Sequence, residues 1–187
     1  MATNNSVNSP LSGTTGTGSF VGSTSATMVT PTLGAATATS VAFSPTTGGI
    51  IGTTAANNAS AGTVGEVISS VIAVGSSVSL SSGSAHDLTS ISLTAGDWDV
   101  FGNVSFTIGG SCSIIVGWTS TSSATLPAVG LYNGIGGPGL VASGIGLAVP
   151  YARYNFSSTT PVFISAFSNF TTSTVTVCGQ IYARRVR

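Results

Sequence analysis

The hydrophobic and polar positions of this chain follow two regimes that change near residue 62. The later regime is clearest in "GDWDVFGNVSFTI", Gly96 to Ile108. Its even positions hold Trp98, Val100, Gly102, Val104, Phe106 and Ile108; its odd positions hold Asp97, Asp99, Phe101, Asn103, Ser105 and Thr107. A period of two sustained over that length predicts a strand with one buried and one wetter face. The last stretch repeats the device, with Val175, Val177, Gly179, Ile181 and Ala183 facing one way and Thr174, Thr176, Cys178, Gln180 and Tyr182 the other. Shorter candidate strands are Glu66–Val74, Val78–Leu80, Thr89–Leu93, Ser113–Thr119, Leu140–Leu147, Tyr151–Phe156 and Val162–Phe167, separated by Gly, Ser, Asn and Pro. Short strands in that number, spread over about 120 residues, predict an all-β fold, an antiparallel jelly-roll-like β-sandwich spanning residues 63–187.

Residues 1–62 show neither period. Apolar side chains stand mostly alone among Gly, Ser, Thr and Ala, as Phe20, Val21, Met28, Leu33 and Phe43 do. The first ionisable side chain of the chain is Glu66. This pattern predicts an extended N-terminal arm that ends near residue 62. Burying an unpaired charge between chains costs several kcal/mol, roughly, so a segment threaded among other polypeptides does better without charges. Small residues let backbones approach, and backbone groups can pair by strand addition. Phe20, Val21, Met28, Leu33 and Phe43 are therefore the attachment residues of the arm, and its partner is another chain of the assembly.

Charge sharpens this picture. Only eight of the 187 side chains are Asp, Glu, Lys or Arg, and their formal sum is zero. Soluble domains are roughly a quarter charged, and a net charge near zero favours self-association. Four Arg, three of them among the last four residues, do not make the clustered basic footprint of a nucleic-acid partner. The opening "MATNNSVNSP" lacks the basic start and apolar middle of a signal peptide. The uncharged stretch from Val100 to Ala152 is broken by Pro127, Pro138, Pro150 and many Gly, so no membrane insertion is expected. "GLVASGIGLAVP" has the look of a small-residue membrane-active peptide, but uncharged stretches are the rule in this chain. Cys112 and Cys178 match no metal spacing, and the sequence leaves open whether they are bonded.

Three segments taken together resemble bacteriophage tail-fibre and related virion appendage proteins. They are the low-complexity "TTGTGSFVGSTSATMVTPTLGAATATSVAF", then "ISLTAGDWDVFGNVSF" from Ile91 to Phe106, then the closing "GQIYARRVR" from Gly179 to Arg187. The resemblance implies a homotrimeric, all-β component of the virion, assembled in the host cytoplasm. Its N-terminal part would dock on other virion proteins. Its distal domain would be similar to the trimeric jelly rolls of the tumour-necrosis-factor and complement type, and would face a glycan or protein of the host surface. The alternative is a capsid decoration, or cement, protein whose arm clamps neighbouring shell subunits. Unlike a long fibre, the chain is short, has no coiled-coil heptads and starts its low-complexity segment close to Met1.

No motif points to catalysis, a metal or a cofactor. His86-Asp87 is the one neighbouring His–acid pair, with no nucleophile motif around it. Asp97 and Asp99 share one strand face about 7 Å apart. That spacing admits a cation or glycoside chemistry, but a turn into a strand with solvated or Arg-paired acids is the simpler reading. All four acids precede all four arginines, so every ion pair joins distant segments or different chains. Arg184 or Arg185 is expected to pair with Asp97, Asp99 or Glu66 of a neighbouring subunit, since Arg suits such interfaces. Trp98 is expected in the core. Tyr132, in the loop "GLYNGIGGPG", is the candidate for an outward contact.

Overall fold

The structure is a computed structural model that describes residues 55–141 and 143–187. They belong to a compact unit, Thr53–Arg187. The arm residues Phe20, Val21, Met28, Leu33 and Phe43 lie outside the described residues. Nine strands form among those described: β1 (Val67–Ile72), β2 (Val78–Ser79), β3 (Ala85–Leu93), β4 (Gly96–Ile108), β5 (Cys112–Ser120), β6 (Tyr132–Leu140), β7 (Ser143–Phe156), β8 (Thr160–Phe170) and β9 (Val175–Arg185).

One sheet runs in the order β1-β9-β4-β7, and the other in the order β3-β8-β5-β6. All pairings are antiparallel. The chain crosses between sheets at almost every connection, and β5–β6 is the one pair of four-or-more-residue strands that neighbour each other in both sequence and sheet. Two four-stranded sheets wound in this alternating way are a jelly roll. The short β2 continues the line of β1 along β9 after a one-turn 3-10 excursion at Val74–Ser76. The two together make one interrupted edge.

The alternation read from the sequence decides the core. Trp98, Val100, Val104, Phe106 and Ile108 of β4 face inward, with Val175, Val177, Ile181 and Ala183 of β9 beside them. Leu93, Ile115, Val162, Ile164 and Ala166 meet them from the other sheet. Each fully buried large aliphatic side chain contributes about 1.5–3 kcal/mol relative to leaving it exposed. The layers meet closely at Gly117, where an added Cβ would lie 2.5 Å from Val104 Cγ2. The described cysteines are unbonded and buried, Cys112 among the core side chains and Cys178 on the outer side of β9.

Two expectations are corrected. The segment "GLYNGIGGPG" is not a loop: Tyr132–Leu140 is β6, the edge strand next to β5. Its hydrogen bonds come from pairing with β5, which its Gly-rich composition does not announce. Leu140–Leu147 and Tyr151–Phe156 are not two strands either. Leu140 closes β6, and a single β7 runs from Ser143 to Phe156. Pro150 is tolerated inside it because β7 is an edge strand and the register slips there: Val100 pairs with Ala152 and Gly102 with Val149. The extra residue makes a bulge, which places the missing amide donor where no ladder bond needs it.

Candidate functional site

Most of the charged side chains meet at one end of the β1-β9-β4-β7 sheet. Antiparallel pairing brings the start of β1, the end of β9, the start of β4 and the end of β7 together there. Glu66 precedes β1 and accepts the Arg185 Nε at 2.9 Å, with both side chains buried. It also accepts the Gly62 amide at 2.8 Å. Arg185 donates further to the Ala95 carbonyl at 2.7 Å and to the Thr94 hydroxyl, and its guanidinium lies 4.3 Å from the Trp98 ring centre. Burial pushes the Glu66 carboxyl up, but the Gly62 amide and the Arg185 guanidinium together outweigh it and hold the group below its ordinary value.

Asp97 is the second node. Its carboxylate is 1 % exposed although it lies on the outer side of β4. The Asn155 amide donates to one oxygen, and Arg153 at 2.8 Å and Arg187 at 2.7 Å share the other. The Asn155 bond first and the Arg153 bond second hold the Asp97 carboxyl below its ordinary value, against the opposing effect of burial. Main-chain bonds Asp97 N to Arg187 O and Val186 N to Asp97 O fasten the closing residues to β4. Gly96 is required here. Its φ is +131°, and a Cβ would strike the Arg185 guanidinium and come within 2.9 Å of Arg187 O.

Beside this node lies an open depression of about 330 Å³ lined by Asp99, Tyr151, Arg153, Val186 and Arg187. The Tyr151 hydroxyl donates to Asp99 Oδ1 at 2.5 Å, and that bond, with burial second, raises the phenol's pKa. Arg153 and Arg187 remain 57 % and 77 % exposed. Arg184 stands across β4–β9 from Asp99, exposed and in no ion pair.

The expected pairing of arginines with acids across subunits is therefore corrected for Arg185. Its partner is Glu66 of the same chain, because β1 and β9 are neighbours in one sheet. Asp97 takes Arg153 and Arg187 rather than Arg184 or Arg185. Arg153 and Asn155 were not among the candidates. The one signal for them was the order of acids before bases, and only the β4–β7 register brings them opposite Asp97 and Asp99. His86 and Asp87 lie at the start of β3. Asp87 accepts Ser165 Oγ at 2.6 Å, Ser123 Oγ at 2.5 Å and the Ala124 amide at 2.7 Å, so it ties the β5–β6 connection to the sheet.

That connection partly roofs an apolar cavity of about 330 Å³ lined by Ala85, Ile114, Val116, Trp118, Leu126, Tyr132 and Phe167. Tyr132 sits here half-buried, at the first position of β6. Trp118 is fully buried yet not part of the inter-sheet core, and its indole N–H has no protein partner. The outer side of the other sheet carries Phe101, Asn103, Ser105, Thr107, Thr176, Gln180 and Tyr182, none of them charged, with the Phe101 and Tyr182 rings 4.7 Å apart. Among the described residues no three His, Cys, Asp or Glu side chains gather as a metal site. No helix among them is long and apolar enough to cross a membrane.

No family model matches the sequence, and no curated protein matches it. Solved structures with a weak likeness to the chain include two from one virus. The VP2 subviral particle of infectious bursal disease virus is 11 % identical with a TM-score of 0.42, and the structure of the Gx strain of that virus is 12 % identical with a TM-score of 0.38. Each likeness covers 65 % of this chain and 32 % of the other, so the chain matches about a third of the length of these proteins. At these values the likeness carries no functional argument; the jelly-roll architecture rests on the strand orders themselves.

Proposed function

We propose that the chain is a non-enzymatic structural component of a bacteriophage virion. In this reading it is a short trimeric tail fibre or appendage whose N-terminal arm docks on other virion proteins and whose jelly roll faces outward, toward the host surface. The observation that carries the reading is where charge is absent. Residues 1–65 hold no charged side chain, and the outer side of β4 and β9 from Phe101 to Thr107 and from Thr176 to Tyr182 holds none either. The surface of a small soluble domain is ordinarily about 25–35% Lys, Arg, Glu and Asp. Uncharged polar surfaces suit contact with sister chains in a closed oligomer. Capsid decoration is the second reading, favoured by the length of the uncharged leading segment, which at up to about 3.3 Å per residue is long enough to cross several neighbouring subunits.

Two measurements test this. Light scattering on the purified chain at micromolar concentration should give three times the 18.3 kDa chain mass; a monomer overturns the trimeric reading. Quantitative gel densitometry of purified particles then separates the two roles. A few copies per particle fit a tail appendage, hundreds fit a shell decoration, and none rejects both.

A further inference from the structure

The depression beside Asp97 points to a ligand from outside the assembly. Every acidic side chain already has a partner: Glu66 holds Arg185, Asp87 holds Ser123, Ala124 and Ser165, Asp97 holds Arg153, Arg187 and Asn155, and Asp99 holds Tyr151. A second copy offers no acidic side chain that is wholly without a partner. Yet Arg153 and Arg187 each direct one guanidinium nitrogen to Asp97, leaving most of their five donors unassigned. Arg184, one strand over, is exposed and in no ion pair. The same depression presents the exposed face of Tyr151 and the second oxygen of Asp99, which accepts no hydrogen bond among the described residues.

We infer that the depression lined by Asp99, Tyr151, Arg153 and Arg187 binds an acidic saccharide unit, a pyranose ring that carries a carboxylate. The free guanidinium donors take the carboxylate, in the planar geometry that suits Arg. The Asp99 oxygen accepts a ring hydroxyl, and the apolar face of the sugar lies on Tyr151, an aromatic with an apolar body and a polar tip. A volume of about 330 Å³ admits one such ring and sits at the small end of ligand sites. Too few cations are present for a nucleic-acid backbone. The biological meaning of this site rests on the outward-facing domain proposed above, but its chemistry does not.

Saturation-transfer NMR on the full-length chain tests the inference with glucuronic acid, N-acetylneuraminic acid, glucose, sodium sulfate and hexaglutamate as probes. At least one acidic sugar should bind with a dissociation constant in the low millimolar range, about −4 kcal/mol, as a single weak subsite does. Which of the two binds distinguishes a uronic acid from a sialic acid. Glucose should bind at least about tenfold more weakly, the loss of one charge-assisted contact. Arg187→Gln should weaken the acidic sugar about fivefold or more and leave the thermal midpoint in place; Tyr151→Ala should remove the signal. The inference is overturned if neither acidic sugar binds, if glucose or sulfate binds as well as they do, if hexaglutamate binds more tightly, or if Arg187→Gln changes nothing. Failure here leaves the particle measurements untouched, and an absence from particles leaves the sugar titration untouched.

Discussion

Arg185 shows how a chain with few charges uses each of them. Its guanidinium meets Glu66, Thr94, the Ala95 carbonyl and the Trp98 ring at once. Removing one member of a buried pair leaves the other uncompensated, which costs about 3–5 kcal/mol in comparable cases. Arg185→Gln should therefore lower stability by an amount in that range in urea unfolding, whereas Arg184→Gln, at an exposed unpaired site, should stay within about 0.5 kcal/mol of the parent. Equal effects would refute the assignment. Acid sensitivity follows from the same groups. Glu66 and Asp97 titrate in the folded chain below their ordinary values of 4.5 and 3.8, so the folded state binds fewer protons than the unfolded one. Their stabilisation is complete above the unfolded values and is lost as pH falls through the folded ones, from about pH 5 downward. The urea midpoint should hold steady from pH 6 to 8, as an approximate window, and fall on acidification, with Glu66→Gln flattening that fall. A midpoint unchanged at pH 3 would contradict it.

At the scale of elements, legibility depended on whether a strand's pairing is written in its own side chains. β4 and β9 were legible because both faces differ along their full length, from Trp98 to Ile108 and from Val175 to Ala183. β6 was not, because Gly134, Gly136, Gly137 and Gly139 supply no face and the strand is defined by its bonds to β5. β7 was half legible, since Pro150 looks like a break until its edge position is known. The acidic positions Asp97 and Asp99 were found, but Arg153 and Asn155 were not, because cross-strand register is a tertiary quantity. Packing between the sheets gives a direct test: Gly117→Ala sets a methyl 2.5 Å from Val104 Cγ2 and should cost about 1–3 kcal/mol, with Gly117→Ala plus Val104→Ala recovering part of it. Hydrogen exchange should rank the strands. Amides of the interrupted β1–β2 edge should exchange well before those of β4, which is paired on both sides.

Across the described residues, charge is confined to one end of one sheet and one strand-to-loop tie at Asp87, and the rest of the surface mixes hydroxyls and amides with exposed apolar side chains such as Val71, Val74, Ile135 and Val141. The apolar cavity around Trp118 and Tyr132 and the uncharged outer side of β4 and β9 lie on opposite sheets. The proposed trimer, if such surfaces hold it, should be nearly indifferent to salt, because few exposed ions are available to screen. Sedimentation in 0.05 M and 1 M sodium chloride, taken as approximate extremes, should give the same mass; dissociation at high salt would show that ions hold the chains together.

The order of strands also bears on how the chain is made. β9, the last of the described strands in chain order, lies between β1 and β4, which are made well before it. Until residues 175–185 emerge, the sheet lacks an inner strand and Glu66 lacks its cation. This sheet therefore closes only once residues 175–185 are made, and a chain broken off before Val175 has two unpaired edges and no means of closing them.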